Sequence, residues 1–267
     1  MTYRLKKCLN MTPKEFRQLA RQNEWNTFTM EVCKGYIQAN LVILPQEYAY
    51  DFLLFCQRNP CPCPILDVTE PGNPHPLLIA PEADLRTDLP KYRIFRKGKL
   101  VEEPLDIKSY WQGNLVGFIL GSSRSFEWSF LAANLSWCNY QAYSTNISCK
   151  PAGRFHGHMV VTVRSFPKTA DAIRAIQISS RHVLNHGTPI YIGDPKTIGI
   201  KQLGKPDPIF PNRPELPAPG KDEIVMSWGC GITAQKIALE CKIPLMITHS
   251  PGCMFISDQL AEEMAIM

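Results

Sequence analysis

No apolar run in this 267-residue chain approaches the length needed to cross a bilayer, and no basic stripe is interleaved with aromatics. Neither a membrane nor a nucleic acid is therefore an expected partner, and a net charge of +5 is mild. The opening Met1-Thr-Tyr-Arg-Leu-Lys-Lys-Cys has basic residues but lacks the apolar segment of a secretion signal. The first ten residues read as a short tail ahead of Met11. Ten cysteines are present, yet no C-x-x-C pair accompanies Cys61-Pro-Cys63, which argues against a structural zinc site. A reducing cytoplasm is the expected compartment, with most thiols acting as small buried hydrophobes. Cys230, between Gly229 and Gly231, is the exception. Gly121-Ser-Ser-Arg-Ser is no G-x-S-x-G elbow, so a serine hydrolase is not supported. There is no internal repeat. What remains, at 45% hydrophobic and 20% charged residues, is an ordinary globule able to bury a large core.

Thr12-Pro-Lys-Glu is a capping box with proline at the first helical position, and predicts a helix to about Gln22. A second helix follows Pro45, with Tyr48, Phe52, Phe55 and Cys56 on one face. Ile65 to Val68 reads as a strand, and Tyr92 to Phe95 with Leu100 to Glu102 as a hairpin. Three units then repeat one plan. Leu115 to Leu120, Ile224 to Trp228 and Leu245 to Thr248 are apolar strands, broken by polar loops at Gly121, Gly229 and His249-Ser-Pro-Gly252. A helix is expected after each, the last opening near Ser257. Such alternation predicts an α/β fold with a mostly parallel sheet flanked by helices. The main lobe is expected over about 12–138 and 205–267. A smaller α+β lobe, about 139–204, is expected as an insertion of pattern β-β-α-β. Lys205 to Lys221, with six prolines, reads as an extended connection.

Ligands of parallel sheets bind beyond the carboxyl ends of the strands, where all three loops would converge and two helix N-termini would favour an anion. Ser122, Ser123, Cys230, Thr233, His249, Ser250 and Gly252 are therefore candidate substrate contacts. The richest chemistry lies from Thr145 to Arg164, where a glycine-punctuated loop carries Arg154, His156 and His158 onto a β-branched strand. One permanent cation and two groups titrating near neutrality within five residues suggest a clamp and acid–base chemistry. Asp67 and Glu70 form a carboxylate pair at a strand end and are further acid–base candidates. Arg86 is either a second clamp or the partner of Asp88. His156 and His158 would share a strand face, so a metal completed by His249, Asp194 or Asp258 is an option, although the sequence requires no cofactor.

The same stretch, TNISCKPAGRFHGHMVV, resembles the signature of a bacterial hydro-lyase family whose mammalian relatives include D-glutamate cyclases. The resemblance continues through Gly35-Tyr-Ile-Gln-Ala-Asn-Leu, Cys63-Pro-Ile-Leu-Asp-Val-Thr-Glu-Pro-Gly and Arg86-Thr-Asp-Leu-Pro-Lys-Tyr-Arg. It extends over Ser125-Phe-Glu, His186-Gly-Thr-Pro-Ile-Tyr-Ile-Gly-Asp-Pro, Cys230-Gly-Ile-Thr-Ala-Gln and Ile247-Thr-His-Ser-Pro-Gly. It implies a hydro-lyase and, for some members, cyclisation of D-glutamate to 5-oxo-D-proline plus water. The family usually shows cysteine at Ser122, phenylalanine at Arg124 and histidine at Cys253, so this chain departs from it there. Glu127, in the matching Ser-Phe-Glu, is retained.

The expectation is a cytoplasmic hydro-lyase acting on a small carboxylic acid. Arg154 would be the clamp and His156 or His158 the acid–base group. Backbone amides of 230–233 or 250–252 would meet the oxyanion. The alternatives are a non-catalytic module that binds a small acid and a metal-dependent hydrolase. Assembly into a homo-oligomer is left open.

Overall fold

The computed structural model describes residues 8–205, 207 and 214–266. Residues 1–7 of the expected N-terminal tail, and much of the proline-rich connection from Lys205, lie outside the described residues. Eleven strands are described, in two sheets. The larger holds β1 (Tyr36–Pro45), β2 (Ile65–Val68), β3 (Tyr92–Arg96), β4 (Lys99–Glu102), β5 (Leu115–Leu120), β10 (Met246–His249) and β11 (Phe255–Leu260). The order is β2-β5-β1-β10-β3-β4, with β11 also paired to β1. The smaller sheet runs β6 (Cys138–Ser148), β7 (His158–Phe166), β9 (Ile224–Gly229) and β8 (Tyr191–Ile192). Five α-helices accompany them: α1 (Pro13–Arg21), α2 (Gln46–Arg58), α3 (Arg124–Ala132), α4 (Thr169–Arg181) and α5 (Thr233–Cys241).

Local signals set most of these elements. Thr12 accepts from the Glu15 amide and Glu15 reaches back to the Thr12 amide, which closes the expected box around Pro13. In α2, Phe52, Phe55 and Cys56 form the buried face. Phe52 packs edge-on against Phe118 of β5 and Phe155 of the β6–β7 hairpin, so one aromatic cluster joins the two sheets.

The mostly parallel sheet is not found. Every strand pairing in both sheets is antiparallel. The strand–loop–helix units exist, but their helices pass between sheets. From β5 in the larger sheet, α3 leads to β6 in the smaller; from β9 in the smaller, α5 leads back to β10 in the larger. The rule for right-handed parallel crossovers applies only to strands of one sheet, so the repeat did not predict strand direction. The helix expected near Ser257 is β11, with Phe255 and Ile256 buried against β1. The strand β1, buried along nearly its whole length and central to the larger sheet, was not anticipated. Among the described residues, no helix is long and apolar enough to cross a membrane.

Candidate functional site

A cleft of about 570 Å³ opens where the two sheets meet. Gln38 and Asn40 of β1, Arg93 of β3 and the loop after β10 line it from the larger sheet. Gln141, Thr162 and the loop after β9 line it from the smaller. Gln38 and Asn40 are polar residues in an otherwise apolar strand, and both are buried. Gln38 holds the 29–32 segment through its amide, while Asn40 Nδ2 donates to the Gly121 carbonyl at 2.7 Å. Gln141 sits at a bulge in β6 with a φ of 67°, a conformation that costs a non-glycine residue energy and often marks a ligand-facing position.

Two groups of charge border the cleft: Lys91, Arg93, Glu103 and Arg124 line it, while Glu127 and Arg164, which pair with Arg124 and with each other, do not. On the larger sheet, Arg93 Nε donates to Glu103 Oε1 at 2.8 Å, Lys91 Nζ lies 4.0 Å from the same carboxylate, and Ser250 donates to it at 3.1 Å. Burial opposes ionisation of Glu103, but Arg93, Ser250 and Lys91 outweigh it and hold its pKa below the usual value. In the second group, Glu127 of α3 is shared by Arg124 at 2.8 Å and by Arg164 of β7. Arg164 is 1% exposed and stacks over Phe126 and Trp228. Burial disfavours the Glu127 anion, yet the two arginines keep its pKa lowered; burial likewise lowers that of Arg164. In each group two cations surround one carboxylate.

Two histidines complete the lining. His249, at the end of β10, accepts a hydrogen bond at Nδ1 from the Leu41 amide at 3.2 Å. Its Nε2 is buried without a partner. His186 follows a 3₁₀ turn, Val183–Asn185, and places Nδ1 2.6 Å from the Cys61 carbonyl oxygen. Glycine permits this approach. A Cβ at Gly121 would lie 1.7 Å from the Leu184 carbonyl oxygen, and one at Gly229 would lie 2.8 Å from that of Cys61. Burial pushes both histidines down to about 4.

Of the sequence candidates, Ser122, Ser123, Cys230, His249, Ser250 and Gly252 are gathered in this cleft. Thr233 is buried beside it, its hydroxyl donating to the Cys230 carbonyl at 2.6 Å. The amides of Cys230, Thr233 and Ser250 are engaged by Val160, Cys230 and Lys91 carbonyls. Cys230 is 7% exposed, and burial pushes its thiol up to about 11 despite the Ile232 amide and the nearby arginines. That is the opposite of the lowering a helix N-terminus would give, because desolvation dominates.

The cleft is built without the other candidates. Arg154 is exposed and lies over the Tyr48 ring; His156 and His158 are exposed on the same hairpin. This loop packs on helices, with Gly153 against Asp51 of α2 and the His156 backbone against Cys241 of α5. Asp67 accepts from the amides of Val68, Leu78 and Ile79 and so anchors a turn, while Glu70 is exposed. Arg86 pairs with Asp84, not Asp88, which is taken by Arg21. Asp194 caps a 3₁₀ turn and Asp258 pairs with Arg17. Among the described residues, no three His, Cys, Asp or Glu side chains converge as metal ligands.

Sequence reasoning missed Lys91, Arg93, Glu103, Gln141 and the role of His186. A signal for the first two existed: Lys91 and Arg93 are two residues apart at the entrance of an expected strand, hence on one face.

The D-glutamate cyclase family model matches residues 116–258, which carry α3, the whole smaller sheet and all three glycine loops, at Gly121, Gly229 and Gly252. The chain belongs to the D-glutamate cyclase family. It is 49% identical to "Putative hydro-lyase GK2103" of Geobacillus kaustophilus, over 96% of this chain and 98% of that one. It is 47% identical to "Putative hydro-lyase YcsI" of Bacillus subtilis, over 96% and 100%. With a "Putative hydro-lyase" of Psychrobacter arcticus the figure is 49%, over 97% and 98%. The three departures from the family's usual residues, Ser122, Arg124 and Cys253, all line the cleft.

Proposed function

We propose that this protein is a hydro-lyase acting on a small dicarboxylic acid, and that cyclisation of D-glutamate to 5-oxo-D-proline and water is its most specific form. The names of the family and of the relatives support the reaction class. The observation that carries the substrate is the charge pattern. Lys91 and Arg93 exceed Glu103 by one charge, and Arg124 and Arg164 exceed Glu127 by one. Two such centres, one presenting Lys91 and Arg93 to the cleft and the other Arg124, suit two carboxylates better than one, because charge-assisted hydrogen bonds are stronger than neutral ones. A cavity of about 570 Å³ is ample for an acid of this size with water.

The test is conversion. Purified protein is incubated with D-glutamate, and separately with 5-oxo-D-proline, and both are followed by chiral chromatography. Interconversion proportional to protein supports the reading. Recovery of both compounds unchanged, from protein shown to be folded, overturns the cyclase form.

A further inference from the structure

We infer that His186 and His249 divide the proton work of the cleft, His186 accepting protons at Nε2 and His249 donating a hydrogen bond from Nε2–H without releasing its proton. The inference rests on the hydro-lyase reading above and names the groups that would serve it.

The assignment comes from what each Nδ1 touches. A backbone amide has only a proton to offer, so Leu41 N–H, 3.2 Å away, fixes Nδ1 of His249 as the bare nitrogen. The neutral ring must then carry its proton on Nε2. That nitrogen is buried and has no partner in the protein, an expensive arrangement unless a ligand atom accepts from it. His186 is the mirror case. A carbonyl oxygen can only accept, so Nδ1–H of His186 donates to Cys61 O at 2.6 Å and Nε2 keeps its lone pair. The Cys61 thiol in turn donates to the His186 carbonyl, which holds the two segments together. Both rings are deeply buried, which favours the neutral form of each. Opposite tautomers in one cleft give an acceptor and a donor, as addition to a carboxyl group requires.

For D-glutamate the atoms balance as follows. The substrate nitrogen attacks the γ-carboxyl carbon, forming the N–C bond. One γ-oxygen stays as the lactam carbonyl and the other leaves as water. The ammonium begins with three protons and the lactam keeps one, so two pass to the departing oxygen. His186 Nε2 takes each from nitrogen and returns it to that oxygen as the C–O bond breaks. His249 Nε2–H donates to the oxygen that stays and ends with its proton in place. The bound carboxylates add negative charge beside His186 and raise its affinity for the proton in transit.

Nitrogen-15 NMR of histidine-labelled wild-type protein reads the tautomers directly, with His186→Gln and His249→Gln to assign the signals. At pH 7 both rings should be neutral, with the proton on Nδ1 in His186 and on Nε2 in His249. The His249 Nε2–H signal should move when glutarate is added. Turnover of D-glutamate should fall by roughly 10²–10⁴ in His186→Gln with glutarate affinity retained. It should fall by about 10²–10³ in His249→Phe and recover in part in His249→Gln, which restores an N–H donor. Identical tautomers, a charged ring at pH 7, or wild-type turnover in His186→Gln would overturn the inference. Through-bond correlation of each ring to its own backbone also assigns the wild-type signals, so the tautomers decide it even where a buried substitution prevents folding. If the tautomers stand and glutarate moves the His249 signal but D-glutamate is not converted, the cyclase reading has failed and the assignment of donor and acceptor has not.

Discussion

Glu127 of α3 and Arg164 of β7 form a buried ion pair across the junction of the two sheets, with Nη2 2.5 Å from Oε1. The pair is completed by Arg124, by Asn139, which donates to the same carboxylate at 2.9 Å, and by Ser123, which accepts from Arg164 at 3.1 Å. The loop that carries Ser122 and Ser123 is thereby tied to the smaller sheet.

Replacing Glu127 by Gln leaves two arginines without their counter-charge, one of them fully buried. Breaking a buried pair from one side costs about 3–5 kcal/mol. Urea unfolding of Glu127→Gln should show a loss of that order. A loss below about 1 kcal/mol would mean that the pair holds nothing together.

His186 and His249 also set an acid limit. Each is pushed down to about 4 from an ordinary 6.5. Between those values the unfolded chain binds a proton that the folded protein resists, so stability falls as pH falls. The slope is about 1.4 kcal/mol per pH unit for each histidine. Above pH 6.5 neither contributes a slope, and below about 4 both are protonated in either state. Chemical denaturation from pH 7 to 4 should show this decline, to which His182 and the paired carboxylates Glu103 and Glu127 add, and His249→Gln should reduce the slope by up to about 1.4 kcal/mol per pH unit. A flat profile would contradict the burial of these rings.

The elements were readable where one local signal decided them, as with the capping box at Thr12 or the helix after Pro45. Sheet membership was not, because a strand–loop–helix unit looks the same whether its helix returns to the same sheet or passes to another. The glycine loops pointed to a common place, since Ser122, Cys230 and Gly252 do meet in the cleft. Arg154, His156 and His158 drew notice through density of chemistry alone, and sequence spacing does not tell a solvated hairpin from a ligand-facing one. His186 and Arg164 were hidden for the converse reason: their significance lies in long-range partners, Cys61 and Glu127.

The exposed hairpin should therefore tolerate change. A double His156→Gln, His158→Gln variant is expected to keep D-glutamate turnover within about twofold of wild type and to unfold at an unchanged midpoint, as surface substitutions do. Loss of turnover from the folded double variant would return these residues to the chemistry.

Cys230 should be slow to alkylate. Its thiol is buried and pushed up to about 11, so little thiolate exists at neutral pH. Cys61, Cys138 and Cys241 are partly exposed and should label first. Mass spectrometry of timed iodoacetamide digests gives the order, and early labelling of Cys230 would contradict the geometry.

The central claim is that one dicarboxylate bridges the Arg93 and Arg124 centres. Calorimetry with glutarate and butyrate tests it most directly, on wild type, Arg93→Met and Arg124→Met. A second charge-assisted contact is worth about 1.5–3 kcal/mol, or roughly 10–100-fold in affinity. Glutarate should bind wild type tighter than butyrate by that factor, and either substitution should erase most of the difference. Equal affinities for the two acids in wild type, or a glutarate preference that survives both substitutions, would contradict the account.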